Sequence, residues 1–330
     1  MAMKAFVLHS YATPDQLEPT EADRPVPADG EVLIRVCATS VNPYDWHHLR
    51  GEPYVARLMP GTLGMRGPKI SVLGCDVAGR VEAVGPRVTR FRPGDEVFGL
   101  LVGGGFAEFA CAREGVLAPK PPSLSYEQAA AVPMAAVTAL IALRDEGRLQ
   151  SGQTVLINGA SGGVGTFAVQ IARVLGAKVT GVCGARNVDL VRSLGADEVI
   201  DYTTQDFTRS GQNYDVVIDI AGRHSARACL RSLARKGTLV VVGGQAGRWL
   251  QPAGHVFASL AAGPLASQRI VLADTVACTR KQELLTALAE LIEDHAVTPV
   301  IDRQYPFEQL PAALRYQEAG HAQGKVVITV

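Results

Sequence analysis

The segment Asn158 to Gly165, Asn-Gly-Ala-Ser-Gly-Gly-Val-Gly, follows the apolar run Thr154 to Ile157 and precedes the helix-like stretch Phe167 to Leu175. Strand, glycine turn and helix in that order form the context in which glycine spacing becomes a dinucleotide-binding fingerprint. The second and third glycines of G-x-G-x-x-G fall on Gly162 and Gly165, and Ala160 takes the place of the first. Gly163 and Val164 lie between them, where a backbone can approach a pyrophosphate. The free N–H groups and dipole of the following helix favour that anion. The competing reading is a tight turn without ligand.

A chain of 330 residues, 47% of them hydrophobic, can bury a large core and is expected to form two domains. Lys+Arg and Asp+Glu are equal at 32 each. No net field therefore recruits nucleic acid or an anionic membrane, and any basic cluster must be local. The start has no long apolar segment and no stretch reaches the length of a bilayer span, so a cytoplasmic protein without membrane or nucleic-acid partners is expected. Six cysteines are scattered with no C-x-x-C pair, which argues for reduced, packed thiols.

Residues 1–124 read as β-rich. Short Val/Ile/Leu runs at Lys4 to His9, Glu31 to Cys37 and Gly79 to Val84 are punctuated by Pro and Gly, the pattern of a small irregular barrel. Pro119 to Pro122 marks a hinge before an alanine-rich helical stretch, Tyr126 to Leu143. From Thr154 apolar strands alternate with helices: Lys178 to Val182, Glu198 to Ile200, Asp215 to Ile220, Thr238 to Val242 and a sixth at Arg269 to Leu272. That alternation predicts a doubly wound parallel sheet over residues 125–277, with ligand outside the carboxyl ends of its strands. Residues 278–330, with helices at Gln282 to Asp294 and Leu310 to Glu318 and a strand at Lys325 to Val330, are expected to return to the first domain.

The order of Val41-Asn42-Pro43-x-Asp45, Gly105 to Phe109, Ala160 to Gly165, Val199-Ile200-Asp201-Tyr202 and Gly324-Lys325-Val326-Val327 resembles the medium-chain dehydrogenase/reductase superfamily. Within it, the chain is similar to the zinc-independent NADPH:quinone oxidoreductases. The resemblance implies an α/β fold in which a Rossmann domain is inserted in a GroES-like β-rich catalytic domain. It also implies an NADPH-dependent enzyme that reduces quinones or α,β-unsaturated carbonyls. Alternatives are an enoyl-thioester reductase, an alcohol dehydrogenase of the superfamily, or a non-catalytic NADPH-binding protein of the crystallin kind.

Zinc-dependent relatives hold a catalytic metal at positions that correspond here to Asn42, Cys75 and a third without cysteine, so no metal is expected. The end of the second Rossmann strand, Thr180 to Arg186, has no acid to bind a ribose diol. Arg186 instead offers a fork suited to a 2′-phosphate. By resemblance Tyr202 joins Arg186 there, Thr138 lies near the nicotinamide or its phosphates, and Ala221, Gly222 and Gly243 end strands beside the cofactor. Lys325 is expected to reach the phosphates from the other domain. Asn42 and Tyr54 are the candidate catalytic residues, positioning acceptor or nicotinamide. Structural roles compete for each: Asn before Pro is a turn signal and Tyr often closes a core edge. His47 and His48 offer groups titrating near neutrality, with a partly solvated surface position as the alternative. Trp46, Leu58, Met59, Met65, Trp249 and Phe257 suggest an apolar acceptor pocket or core. The family resemblance further implies a homodimer through the sixth Rossmann strand, whose sequence has nothing to blunt an exposed edge.

Overall fold

The computed structural model describes residues 2–58, 63–244, 247–251, 253–262 and 267–330. Met59 lies outside the described residues, as do Gln245, Ala246 and part of the passage before the sixth Rossmann strand.

The first stretch contains strands β1 (Ala2–Ala5), β2 (Thr20–Asp23), β3 (Glu31–Val41), β4 (Asp76–Val84), β5 (Glu96–Leu100), β6 (Phe109–Arg113) and β7 (Leu117–Pro119). Helix α1 (Pro43–Arg50) follows β3 directly, with Pro43 at the first helical position, where a missing N–H costs nothing. The alanine-rich stretch is not one helix. It divides into α2 (Tyr126–Ala130) and α3 (Pro133–Leu140), because Pro133 disfavours helical geometry at the residue before it and has no N–H to donate. Beyond α3, Ile141–Glu146 forms a π-helical turn.

The second stretch supplies β8 (Thr154–Asn158), α4 (Gly163–Val174), β9 (Lys178–Cys183), α5 (Val188–Ser193), β10 (Glu198–Asp201), β11 (Tyr214–Asp219), α6 (Ala226–Leu230), β12 (Leu233–Val241), α7 (Ala253–Ala262) and β13 (Arg269–Leu272). All six strands are parallel, in the order β10-β9-β8-β11-β12-β13. The order reverses at β8, so the turn after β8 lies at the topological switch point, where open sheets bind ligands. Leu156, Val182, Val217, Leu239 and Val241 anchor its core together with Ala226 and Cys229 of α6.

The final stretch adds α8 (Lys281–Glu293), β14 (Ile301–Pro306), α9 (Leu310–Glu318) and β15 (Lys325–Thr329). β15 pairs antiparallel with β3 in a seven-stranded sheet ordered β14-β15-β3-β4-β5-β7, with β6 also on β3. Its core gathers Phe6, Trp46, Leu49, Phe106, Phe307, Leu314, Val326 and Ile328. Two compact units result: 1–137 with 278–295 and 299–330, and 138–277 with 296–298. The boundary drawn from sequence at 124/125 lies ahead of this division, because α2 packs on β3 and β4 of the first unit.

Candidate functional site

In the first unit the sheet register assembles a buried polar cluster. Val326 pairs with Val41 in antiparallel register, which brings Lys325 opposite Asn42. Ala38 pairs with Ala78, which brings Ser40 opposite Asp76. Lys325 Nζ donates to Asn42 Oδ1 at 2.5 Å and to Asp76 Oδ2 at 3.2 Å, and Asn42 Nδ2 donates to the same Asp76 oxygen at 2.9 Å. Ser40 Oγ also donates to Asp76 Oδ2, and the Met134 backbone N–H donates to Asp76 Oδ1 at 2.7 Å. Asp76 is fully buried, and Asn42 and Lys325 are each 3% exposed. A buried charge persists only when paired and hydrogen-bonded, and here both carboxylate oxygens and the ammonium have partners.

Asn42 caps α1, yet its side chain points to Lys325 and Asp76, which fix the orientation of its amide. Asp45 accepts from the Asn42 N–H at 2.8 Å and from the Gly74 N–H at 3.1 Å. Burial raises the Asp45 carboxyl to about 7, with the nearby Asp76 charge adding to the rise. Cys75 is buried and its thiol is pushed well above the ordinary range, first by burial and then by Asp45 and Asp76. Among the described residues no group of three or more His, Cys, Asp and Glu could hold a metal ion.

Lys325 thus spends donors on Asn42 and Asp76 within its own unit, a role the sequence did not reveal. Asp76, Ser40 and Asp45 were missed as partners. Their signal is register, which only the paired strands supply. His47 donates from Nδ1 to the Glu52 carbonyl at 3.0 Å and stacks on Trp46. Burial lowers it to about 4, so it is neutral at pH 7 and does not titrate near neutrality. Tyr54 opens the 3-10 turn Tyr54–Leu58, half-buried under the Arg57 guanidinium at 4.6 Å. Trp46 is core, whereas Leu58 and Met65 are exposed.

In the second unit the fingerprint forms the turn between β8 and α4. Gly162 is the extended N-cap and Gly163 the first helical residue, so the N–H groups of Gly163, Val164 and Gly165 open the helix. A Cβ on Gly165 would sit 2.1 Å from the Gly159 carbonyl oxygen, so only glycine lets α4 pack this close to the turn. At Gly162 a Cβ would meet nothing nearer than 3.6 Å, so packing does not demand that glycine. Its bare backbone leaves room for a ligand instead. Ala160, at the first fingerprint position, is fully buried.

Neighbouring strand ends join this turn. Asn187 Nδ2 donates to Ser161 Oγ at 2.9 Å, while its buried Oδ1 has no partner among the described residues. Gly184 abuts Tyr202, since a Cβ there would lie 3.2 Å from the phenol oxygen. The Arg223 guanidinium lies over the Tyr202 ring at 5.1 Å, and Arg186 is exposed in the turn Ala185–Asn187. Arg223 thus covers Tyr202 while Arg186 follows the end of β9, and Arg223 was missed. Ala221 and Gly222 follow β11, where the buried Asp219 accepts from Asn158 Nδ2 at 2.8 Å and the Gly222 N–H at 3.0 Å. Gly222 has φ +58 and packs against Gly243 and Gly244. Thr138 Oγ1 lies 2.7 Å from Thr275 Oγ1, both buried. Trp249 and Phe257 are exposed. The glycine turn, helix start and cationic strand ends fit a nicotinamide dinucleotide.

Residues 28–122 match the alcohol dehydrogenase GroES-like domain, and residues 194–328 match the zinc-binding dehydrogenase family. The chain is 33% identical over 327 residues to the chloroplast envelope quinone oxidoreductase homolog of Arabidopsis thaliana, covering 94% of this chain and 93% of that one. It is also 33% identical to 2-methylene-furan-3-one reductase of Solanum lycopersicum, covering 99% and 79% of the two chains. Among solved structures, the quinone oxidoreductase from Coxiella burnetii superposes with TM-score 0.85 at 28% identity over 100% of both chains.

Proposed function

Because the chain belongs to the quinone oxidoreductase family of the medium-chain dehydrogenase/reductase superfamily, we propose that this oxidoreductase uses NADPH to reduce quinones or α,β-unsaturated carbonyl compounds without zinc. The observation that carries the cofactor reading is the placing of Arg186, Tyr202 and Arg223 around the end of β9, with no acid in Thr180 to Arg186. A carboxylate there would accept from a ribose diol and repel a phosphate, whereas two guanidinium groups favour the 2′-phosphate. The N–H groups that open α4 would hold the pyrophosphate.

A bound dihydronicotinamide supplies the hydride, and a proton from solvent or a side chain completes the two-electron reduction of the acceptor. Within the first unit, Lys325 and Asp76 hold the Asn42 amide in one orientation, which is the preorganisation a positioning residue needs. Tyr54 is the second candidate to contact the acceptor. Zinc does not fit this cluster. The Lys325 ammonium sits where a dication would be repelled, and among the described residues no three His, Cys, Asp or Glu side chains gather there to supply the ligands a catalytic zinc needs.

The test is NADPH and NADH oxidation against a panel of quinones, enones and enoyl thioesters, before and after exhaustive chelation. NADPH-dependent turnover of quinones or enones that survives chelation is expected. Turnover confined to thioesters, no turnover at all, or stoichiometric zinc whose removal abolishes activity refutes the reading.

A further inference from the structure

The neutral total charge hides a local imbalance. Between Asp219 and Asp274 the chain has no Asp or Glu but seven Lys and Arg. Part of that stretch forms the neighbouring helices α6 and α7, which contact each other and pack inward through Ala226, Cys229, Leu230 and Val256 onto one hydrophobic cluster. Their opposite faces are open to solvent. On α6 and just after it, Arg227 and Arg231 are exposed, four residues apart and so on one side of the helix. Arg235 and Lys236 follow at the start of β12, also exposed. Among the described residues none of these four is in an ion pair. On and before α7, Trp249 is 75% exposed, Leu250 and Phe257 51% each and Leu260 38%.

Exposed apolar side chains on and before α7, exposed cations on the α6 that it contacts, and no acid in the intervening sequence together define an amphipathic surface. We infer that this α6–α7 face docks peripherally on an anionic lipid surface, Arg227 and Arg231 meeting the headgroups while Trp249, Phe257 and Leu260 enter the interface. Trp and Phe on the apolar side and Lys/Arg on the polar side are what an interfacial layer selects. A second copy of this chain fits less well. In an isologous contact the same arginines would face each other, and like charges across an interface are unfavourable. A soluble polyanion such as nucleic acid would use the cations but leave the aliphatic and aromatic side chains in water. No described helix is long and apolar enough to cross a membrane, so the contact is superficial.

The experiment is flotation of the intact chain with phosphatidylcholine vesicles and with vesicles in which half of that lipid is phosphatidylglycerol. Binding to the anionic vesicles alone, weakened by added salt, is expected. R227Q/R231Q should lower the partition coefficient by roughly fivefold for each arginine, with melting temperature unchanged. F257Q/L260Q should lower it by about tenfold or more while leaving the cations in place. No vesicle binding, equal binding to both vesicle types, or indifference to either pair overturns the inference. So does binding of duplex DNA as tight as that of vesicles and insensitive to F257Q/L260Q, which assigns the cations to nucleic acid. A lower mass by light scattering for L260Q also overturns it, because the patch then joins two copies.

Discussion

Lys325 Nζ lies 3.2 Å from Asp76 Oδ2, and both side chains are withdrawn from solvent. Such a pair is strongly coupled, because removing one partner leaves the other charged and buried. Lys325→Met should destabilise the protein by about 3–5 kcal/mol, and adding Asp76→Asn should recover much of that loss. Chemical denaturation of the two single variants and the double variant checks this. Additive losses would mean that the pair is not coupled.

Asp45 gives stability a pH dependence. Its carboxyl is raised to about 7 in the folded chain from an ordinary 3.8. The folded state therefore holds a proton that the unfolded state has released between these values. The stabilisation is fully present below about pH 4 and is lost as pH rises through about 7. At about 1.4 kcal/mol per pKa unit the change is a few kcal/mol. The difference in unfolding free energy between wild type and Asp45→Asn should fall across that window. A flat difference would show that Asp45 titrates normally.

Arg186→Ala and Arg223→Ala should each weaken NADPH about tenfold to a hundredfold and leave NADH nearly unchanged, the loss of a charge-assisted phosphate contact being about 1.5–3 kcal/mol. Cofactor titration by fluorescence measures both. Equal losses for the two cofactors would place the arginines elsewhere.

At Gly165 the smallest possible side chain is already too large, since its Cβ would lie 2.1 Å from a backbone oxygen. Gly165→Ala should cost about 1–3 kcal/mol and weaken either dinucleotide, because α4 must move away from the turn. Gly162→Ala, with 3.6 Å of clearance, should keep stability and lose affinity only. Melting curves alongside cofactor titration separate the two effects.

β13 ends the parallel sheet, with β12 on one side and no strand on the other among the described residues. An edge with no proline and few charges invites pairing, so a two-fold homodimer is expected. Val271→Pro removes a ladder donor and should halve the mass seen by light scattering. A monomeric wild type, or a dimer indifferent to this proline, would count against the edge.

The Rossmann sheet was legible because each of its strands is a nearly continuous apolar run bounded by helices, and its glycine turn is a local signal. Strands β5, β6 and β7 were not, since short runs such as Glu96–Leu100 between glycines and prolines have no distinctive period. Pro133 was visible in the sequence, yet alanine richness outweighed it in the helix drawn across it. The candidate dinucleotide residues follow from spacing along one segment, but the second arginine, Arg223, comes from beyond the end of β11. The polar cluster depends on contacts between residues as much as 283 apart, as for Asn42 and Lys325. No window along the chain contains them.

That separation also governs when the cluster can exist. Bringing Lys325 to Asp76 closes a loop spanning 249 positions, an entropic cost of about 5 kcal/mol if the intervening chain is flexible. The parallel sheet from β8 to β13 relies on contacts within that loop and can be settled sooner. The first unit is thus expected to fold later, with β3 waiting for β15 while the Asp76 carboxylate stays exposed to water. An arrested intermediate would have a formed dinucleotide turn while the polar cluster was still incomplete. Cofactor affinity should appear before turnover during refolding.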